Sequence, residues 1–209
     1  MNEKIQEILE SAKSVEYFVE NYCLRKDSKD GYVPFRLNEF QKKYLELRKE
    51  QTNLCIEANR QVGSTNAFAI EILHKVLFGS PKSFMIVTTK LDSAKNFIKT
   101  FKLLYENTAD FLKLNKIKVD TKNHIIFENG ASLKAISEGS SGLCGESLET
   151  VYLDQAGYFT QDSKELWLSI APRAKNFVFC TTVEDSNKKA DLYEERKKDP
   201  EFYYFEYKN

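Results

Sequence analysis

Apolar positions along the chain change their period part way through. From Glu3 to Asn21 they recur near every 3.6 residues, at Ile5, Ile8, Leu9, Ala12, Val15 and Val19, which predicts one amphipathic helix. Arg25 to Gly31 is polar and predicts a loop, leading into the extended Tyr32-Val33-Pro34-Phe35. A second helix is predicted from about Asn38 to Arg48, with Asn38 available as its cap. Beyond Asn53 the apolar residues become contiguous. Leu54–Ala58, Phe84–Thr88, Thr150–Asp154 and Phe177–Thr182 read as strands without alternation, the pattern that burial on both faces demands. Thr65–Leu77 and Leu91–Asn107 carry helical spacing between them. Ile125-Ile126-Phe127 and Ser132-Leu133-Lys134-Ala135 flank Asn129-Gly130, a hairpin signal. Small residues make a loop of Glu138 to Ser147, and a helix near Leu192–Lys197 precedes a last strand, Tyr203–Tyr207. Strands alternating with helices predict a three-layer α/β domain: a mostly parallel sheet with helices on both faces. The four contiguous strands form its centre, with the hairpin at one edge.

Composition narrows this picture. The 209 residues carry 31 Lys+Arg and 31 Asp+Glu, so affinity for nucleic acid or anionic membrane cannot rest on bulk charge. The 42% hydrophobic content is enough to fill a core. The apolar runs fall short of the ~20 residues of a membrane helix, and the start lacks the basic and apolar regions of a secretory signal. Cys23, Cys55, Cys144 and Cys180 are too scattered for a zinc site and fit reduced thiols. One intracellular domain is expected, with an N-terminal helical extension over about residues 1–35. His74 and His124 are isolated and read as packing or surface residues, while Trp167 with Leu166, Leu168 and Ile170 reads as core. Lys188 to Lys198 mixes both charge signs and reads as a solvated helix face rather than a DNA patch.

Chemistry concentrates in the turn after the first contiguous strand, Ala58-Asn59-Arg60-Gln61-Val62-Gly63-Ser64-Thr65. A strand-to-helix turn offers backbone N–H groups and the positive end of a helix dipole to an anion. The phosphate-loop pattern G-x-x-x-x-G-K-[ST] is met only at Gly63 and Thr65, with Ala58 for the first glycine and Ser64 for the lysine. On spacing alone, an ordinary βα turn is the better reading.

Context changes that. Leu37-Asn38-Glu39-Phe40-Gln41, followed by a strand and the Arg60–Thr65 segment, resembles the large terminase subunits of tailed bacteriophages. Tyr17–Cys23 and Gly31–Phe35 look like that family's N-terminal region. Val151-Tyr152-Leu153-Asp154-Gln155-Ala156 stands at its Walker B position, and Phe179-Cys180-Thr181-Thr182 looks like its coupling motif. The resemblance runs from about Ser14 to Tyr207. It implies a P-loop ATPase domain of a viral DNA-packaging motor, with ATP and Mg2+ as cofactors. Gln41 would then contact adenine; Arg60, Gln61, Gly63, Ser64 and Thr65 would hold phosphates; Thr65 and Asp154 would hold the metal; Thr181 and Thr182 would couple hydrolysis to motion. It further implies a ring at the capsid portal in the cytoplasm of an infected bacterium. The expected partners are portal and small terminase proteins and the backbone of double-stranded DNA, with no membrane.

Three positions depart from the family pattern. Ser64 stands for the loop lysine, Gln155 for the Walker B glutamate, and Cys144-Gly145 for the Arg-Gly pair proposed to act across the subunit interface. Each missing charge is expected to cost ~10²-fold or more in rate. Arg60 can reach a phosphate bidentately and partly replace the lysine. The expectation is a hydrolysis-deficient domain and at most a weak nucleotide binder. The alternative is a non-enzymatic structural or regulatory module that binds packaging or host proteins. Blander readings accompany each residue: Asp154 as a cap, Thr65 as a ligand-free helix start, Gln41 as a solvated side chain, Thr181 and Thr182 as partners for strand-end backbone. The chain closes at Asn209, just after the last strand of an ATPase core, so no nuclease domain is expected, and the sequence reads as a fragment or a standalone domain.

Overall fold

The computed structural model describes residues 3–27, 29–140, 146–160, 163–183 and 189–208. The N-terminal periodicity gives two helices, not one: α1 (Glu3–Lys13) and α2 (Val15–Tyr22). Ser14 breaks them by taking extended backbone and accepting the Tyr17 N–H on Oγ at 3.1 Å. A local side-chain cap beats continuous periodicity here. The predicted loop over Arg25–Gly31 is instead a hairpin, β1 (Leu24–Asp27) paired antiparallel with β2 (Gly31–Pro34). Gly31 turns it at φ 76, a conformation open to glycine.

The remaining elements are α3 (Glu39–Glu50), β3 (Leu54–Ala58), α4 (Ser64–Phe78), β4 (Ser83–Thr88), α5 (Leu91–Glu106), β5 (Ile117–Asp120), β6 (His124–Phe127) and β7 (Ser132–Ser137), followed by β8 (Leu148–Asp154), α6 (Ser163–Ile170), β9 (Ala174–Thr182), α7 (Asp191–Lys198) and β10 (Tyr203–Tyr207). They build one eight-stranded sheet in the order β10-β3-β9-β8-β4-β7-β6-β5. The four predicted central strands are contiguous, and β10 and β7 continue the parallel pairing on either side. The β6–β7 hairpin lies toward one edge, antiparallel, with β5 outermost. β5 was invisible in the sequence because an edge strand of Ile-Lys-Val-Asp buries little and carries charges that blunt pairing.

Alternate residues of the central strands enter two cores. Ile56, Tyr152, Val178 and Cys180 pack under α2 to α5, while Cys55, Leu153 and Phe179 pack under α6 and α7. Trp167 stacks on Phe177 and Phe179, yet Leu168 is 73% exposed, against the core reading of that cluster. The cause is helical: Leu166 and Ile170, four apart, share the inward face of α6, and Leu168 points the opposite way. His74 packs between Phe18 and Phe78 and donates from Nε2 to the Ser11 carbonyl, which confirms its packing role. The stretch from Lys189 to Lys198 is a solvated face only in part: Asp191, Glu195 and Lys198 are exposed, but three of its cations turn inward. Lys189 and Lys197 both reach the buried Glu57 at 2.7 Å, and Arg196 lies over Trp167. Lys188 falls outside the described residues. On the other face, α3 is locked to α4 by Glu71, which accepts from Tyr44, Arg48 and Lys75. Burial alone would raise the Glu71 carboxyl, but these cations hold it down at about 2.

Candidate functional site

At the C-terminal ends of β3, β9, β8 and β4 lies a cleft of about 750 Å³. Such a crevice beyond the strand ends is where open α/β sheets bind ligands. Its near wall is the turn between β3 and α4. Gly63 sits there at φ 89, and a Cβ on it would meet Gln41 Nε2 at 2.6 Å, so both the backbone and the space call for glycine. Gln61 also has positive φ (63), as does Gln155 across the cleft (59). Among the described residues these are the two non-glycine positions in that region, and both line this cleft. Backbone held in sparsely populated regions tends to collect at ligand sites.

Gln41 is not a solvated side chain. It is 3% exposed and completes a reciprocal cap with Asn38: Asn38 Oδ1 accepts from Gln41 N–H, and Gln41 Oε1 from Asn38 N–H. Its Nε2 donates to the Gly63 carbonyl at 3.2 Å, while Asn38 Nδ2 donates to the Val62 carbonyl at 2.9 Å. The start of α3 thus clamps the turn from behind.

The floor is built by Thr65 and Asp154. Thr65 Oγ1, in the first turn of α4, donates to Asp154 Oδ2 at 3.4 Å, joining residues 89 apart in sequence. Burial pushes the Asp154 carboxyl up to about 6, against the lowering pull of Thr65 and of the Gln155 backbone N–H. A hydroxyl and a carboxylate oxygen are the hard oxygen donors that would hold Mg2+ here. No group of three or more His, Cys, Asp or Glu that could hold a metal occurs among the described residues. A cation held here would need its other ligands from phosphate and water, as in phosphoryl-transfer sites.

Ser64 begins α4 and lines the cleft with Cys180 of β9, so an uncharged side chain stands at the position of the loop lysine. Gln155 follows Asp154, exposed on the cleft. Thr181 and Thr182 tie the end of β9 to the segment after Asp154: Thr181 Oγ1 accepts the Gly157 N–H at 3.2 Å, and Thr182 Oγ1 meets Tyr158 Oη at 2.6 Å. Both threonines thus satisfy neighbouring groups at the strand end. Arg60 and Gln61 stand exposed on the rim. Cys144 lies outside the described residues. The cleft thus gathers Arg60, Gln61, Gly63, Ser64, Thr65, Asp154, Gln155, Thr181 and Thr182, with Gln41 behind it. Sequence reasoning missed Tyr158, Thr89 and Lys90, which also line it. Only strand order brings the end of β4 to this place.

A strand–turn–helix with Gly63 in the left-handed region, an Asp at the end of a parallel strand and a threonine-ended strand between them define an α/β domain of the P-loop type. The chain belongs to the large terminase family: residues 55–206 match the profile "Terminase large subunit, T4likevirus-type, N-terminal". The Thermus phage P74-26 large terminase ATPase domain superposes with a TM-score of 0.64 at 15% identity, covering 88% of this chain and 86% of that one. The HK97 bacteriophage large terminase gives 0.70 at 16% identity, covering 91% of this chain but 42% of its own. The Phi-28 gp11 DNA packaging motor gives 0.52 at 15% identity, over 80% and 59% respectively. At these identities the likeness shows the fold. No helix among the described residues is long and apolar enough to cross a membrane.

Proposed function

We propose that this chain is the ATPase-type domain of a viral DNA-packaging machine that binds Mg·ATP weakly and hydrolyses it negligibly. The observation that carries the reading is the pairing of Thr65 with Asp154 at the floor of the cleft, beside a Ser64 that offers no charge. Phosphates would rest on the N–H groups at the start of α4, with Arg60 at the rim. Mg2+ held by Thr65 and Asp154 would neutralise phosphate charge. Gln155 orients a water but cannot take its proton, and Ser64 cannot stabilise developing charge. By analogy with its relatives the domain works in the host cytoplasm, in a ring at the portal, against DNA backbone contacted without regard to sequence.

Calorimetry is expected to give a Kd on the order of 10⁻⁴–10⁻³ M for Mg·ATP, with ATP turnover indistinguishable from background. Submicromolar binding, or turnover abolished by Asp154→Ala, overturns the reading. The replaced charges at Ser64 and Gln155 also favour a second reading, a non-enzymatic module that keeps the fold to contact packaging proteins. An intact terminase gene beside this one in the genome, together with no ATP binding, would favour it.

A further inference from the structure

We propose that Lys90 supplies the cation for the terminal phosphate of a nucleoside triphosphate in this cleft, from the wall opposite the turn that lacks its lysine. The inference rests on the nucleotide reading above. Among the described residues, the charged side chains lining the cleft are Arg60, Lys90 and Asp154. Arg60 belongs to the turn itself, whereas Lys90 lies two residues beyond β4. Because β4 pairs directly with β8, Lys90 emerges one strand beyond Asp154. Neighbouring strands are ~4.8 Å apart. A phosphate chain that starts on the N–H groups of α4 and crosses toward Asp154 therefore ends within reach of a lysine at that strand end.

A second observation concerns the helix that Lys90 precedes. It occupies the N-cap of α5, in extended backbone (φ −133, ψ 146), with no side-chain cap hydrogen bond. Its carbonyl is fixed by Thr88 Oγ1 at 2.8 Å and by the Ala94 N–H at 3.2 Å, so the backbone is held in place, while among the described residues the ammonium makes no cap hydrogen bond. Asp92, the acid of the first turn, pairs with Lys95 instead. Caps favour Ser, Thr, Asp or Asn, and a cation at the positive end of a helix is unfavourable. An anion between Lys90 and the start of α5 reverses that sign. The residue is a poor choice for the helix and a good one for a triphosphate.

The test is Lys90→Asn, with Lys90→Arg as the conservative partner, titrated with Mg·ATP and Mg·ADP by calorimetry and melted without ligand. Asn is a better cap, so the expected result is a higher melting temperature together with at least tenfold weaker ATP binding. ADP affinity should change less than twofold, and Lys90→Arg should keep the preference for ATP. A purely structural role would move stability and both affinities in the same direction. Unchanged ATP affinity in Lys90→Asn, or equal losses for ATP and ADP, overturns the proposal while leaving the nucleotide site standing. A wild-type chain that binds neither nucleotide overturns the site and this proposal with it.

Discussion

Replacing Asp154 by Asn should stabilise the free protein at neutral pH while removing its Mg2+-dependent ATP binding. Asp154 has its carboxyl raised from the ordinary 3.8 to about 6, burial outweighing the hydrogen bonds from Thr65 and the Gln155 backbone. A folded-state pKa above the unfolded one means that the folded state binds more protons between the two values. Its stabilising contribution is therefore complete below pH ~4 and is lost as pH rises through ~6. At ~1.4 kcal/mol per pH unit, the full shift corresponds to about 3 kcal/mol. Asp154 keeps some contact with solvent, so ~1–3 kcal/mol is the sensible range. Asn keeps an oxygen to accept from Thr65 without the charge, and for a domain of this size the gain amounts to roughly 2–12 °C in melting temperature. The assay is a set of thermal melts of both proteins from pH 4 to pH 8, without ligand and with Mg·ATP. The melting curves should coincide near pH 4 and separate above pH 6 in favour of Asp154→Asn. Added Mg·ATP should shift only the wild type, because the metal needs the carboxylate. A lower melting temperature for Asp154→Asn at pH 7.5, or a difference independent of pH, would refute the argument.

Two further outcomes test other parts of the site. Ser64→Lys, Gln155→Glu and Cys144→Arg together should raise ATP turnover well above background in a steady-state phosphate-release assay, since they return the three charges the family pattern contains; no gain with nucleotide bound would mean the lost activity has another cause. In Gly157→Ala a Cβ would fall 2.3 Å from Thr181 Oγ1, forcing the end of β9 away from the segment after Asp154. A loss of ~1–3 kcal/mol in urea unfolding is expected, and an unchanged midpoint would show that this junction yields freely.

What the sequence determined was whatever depends on neighbours along the chain. Contiguous apolar runs announced the central strands because burial on both faces removes alternation, and Asn129-Gly130 announced its hairpin. The strand–turn–helix around Gly63 was legible because a glycine at a helix start reports a left-handed backbone. Local signals failed where a competing local interaction won, as at Ser14, or where too little surface was buried to leave a pattern, as in β5. The site itself was legible as separate pieces. That Thr65 reaches Asp154 follows from β3 and β8 both flanking β9 in parallel register, a matter of strand order that no segment encodes alone. The same order brings Lys90 to the cleft, and the packing of α3 on α4 turns Gln41 from an apparently solvated residue into the clamp behind Gly63. Periodicity records which face of an element is buried; only the tertiary arrangement decides which other element buries it, and so which side chains meet.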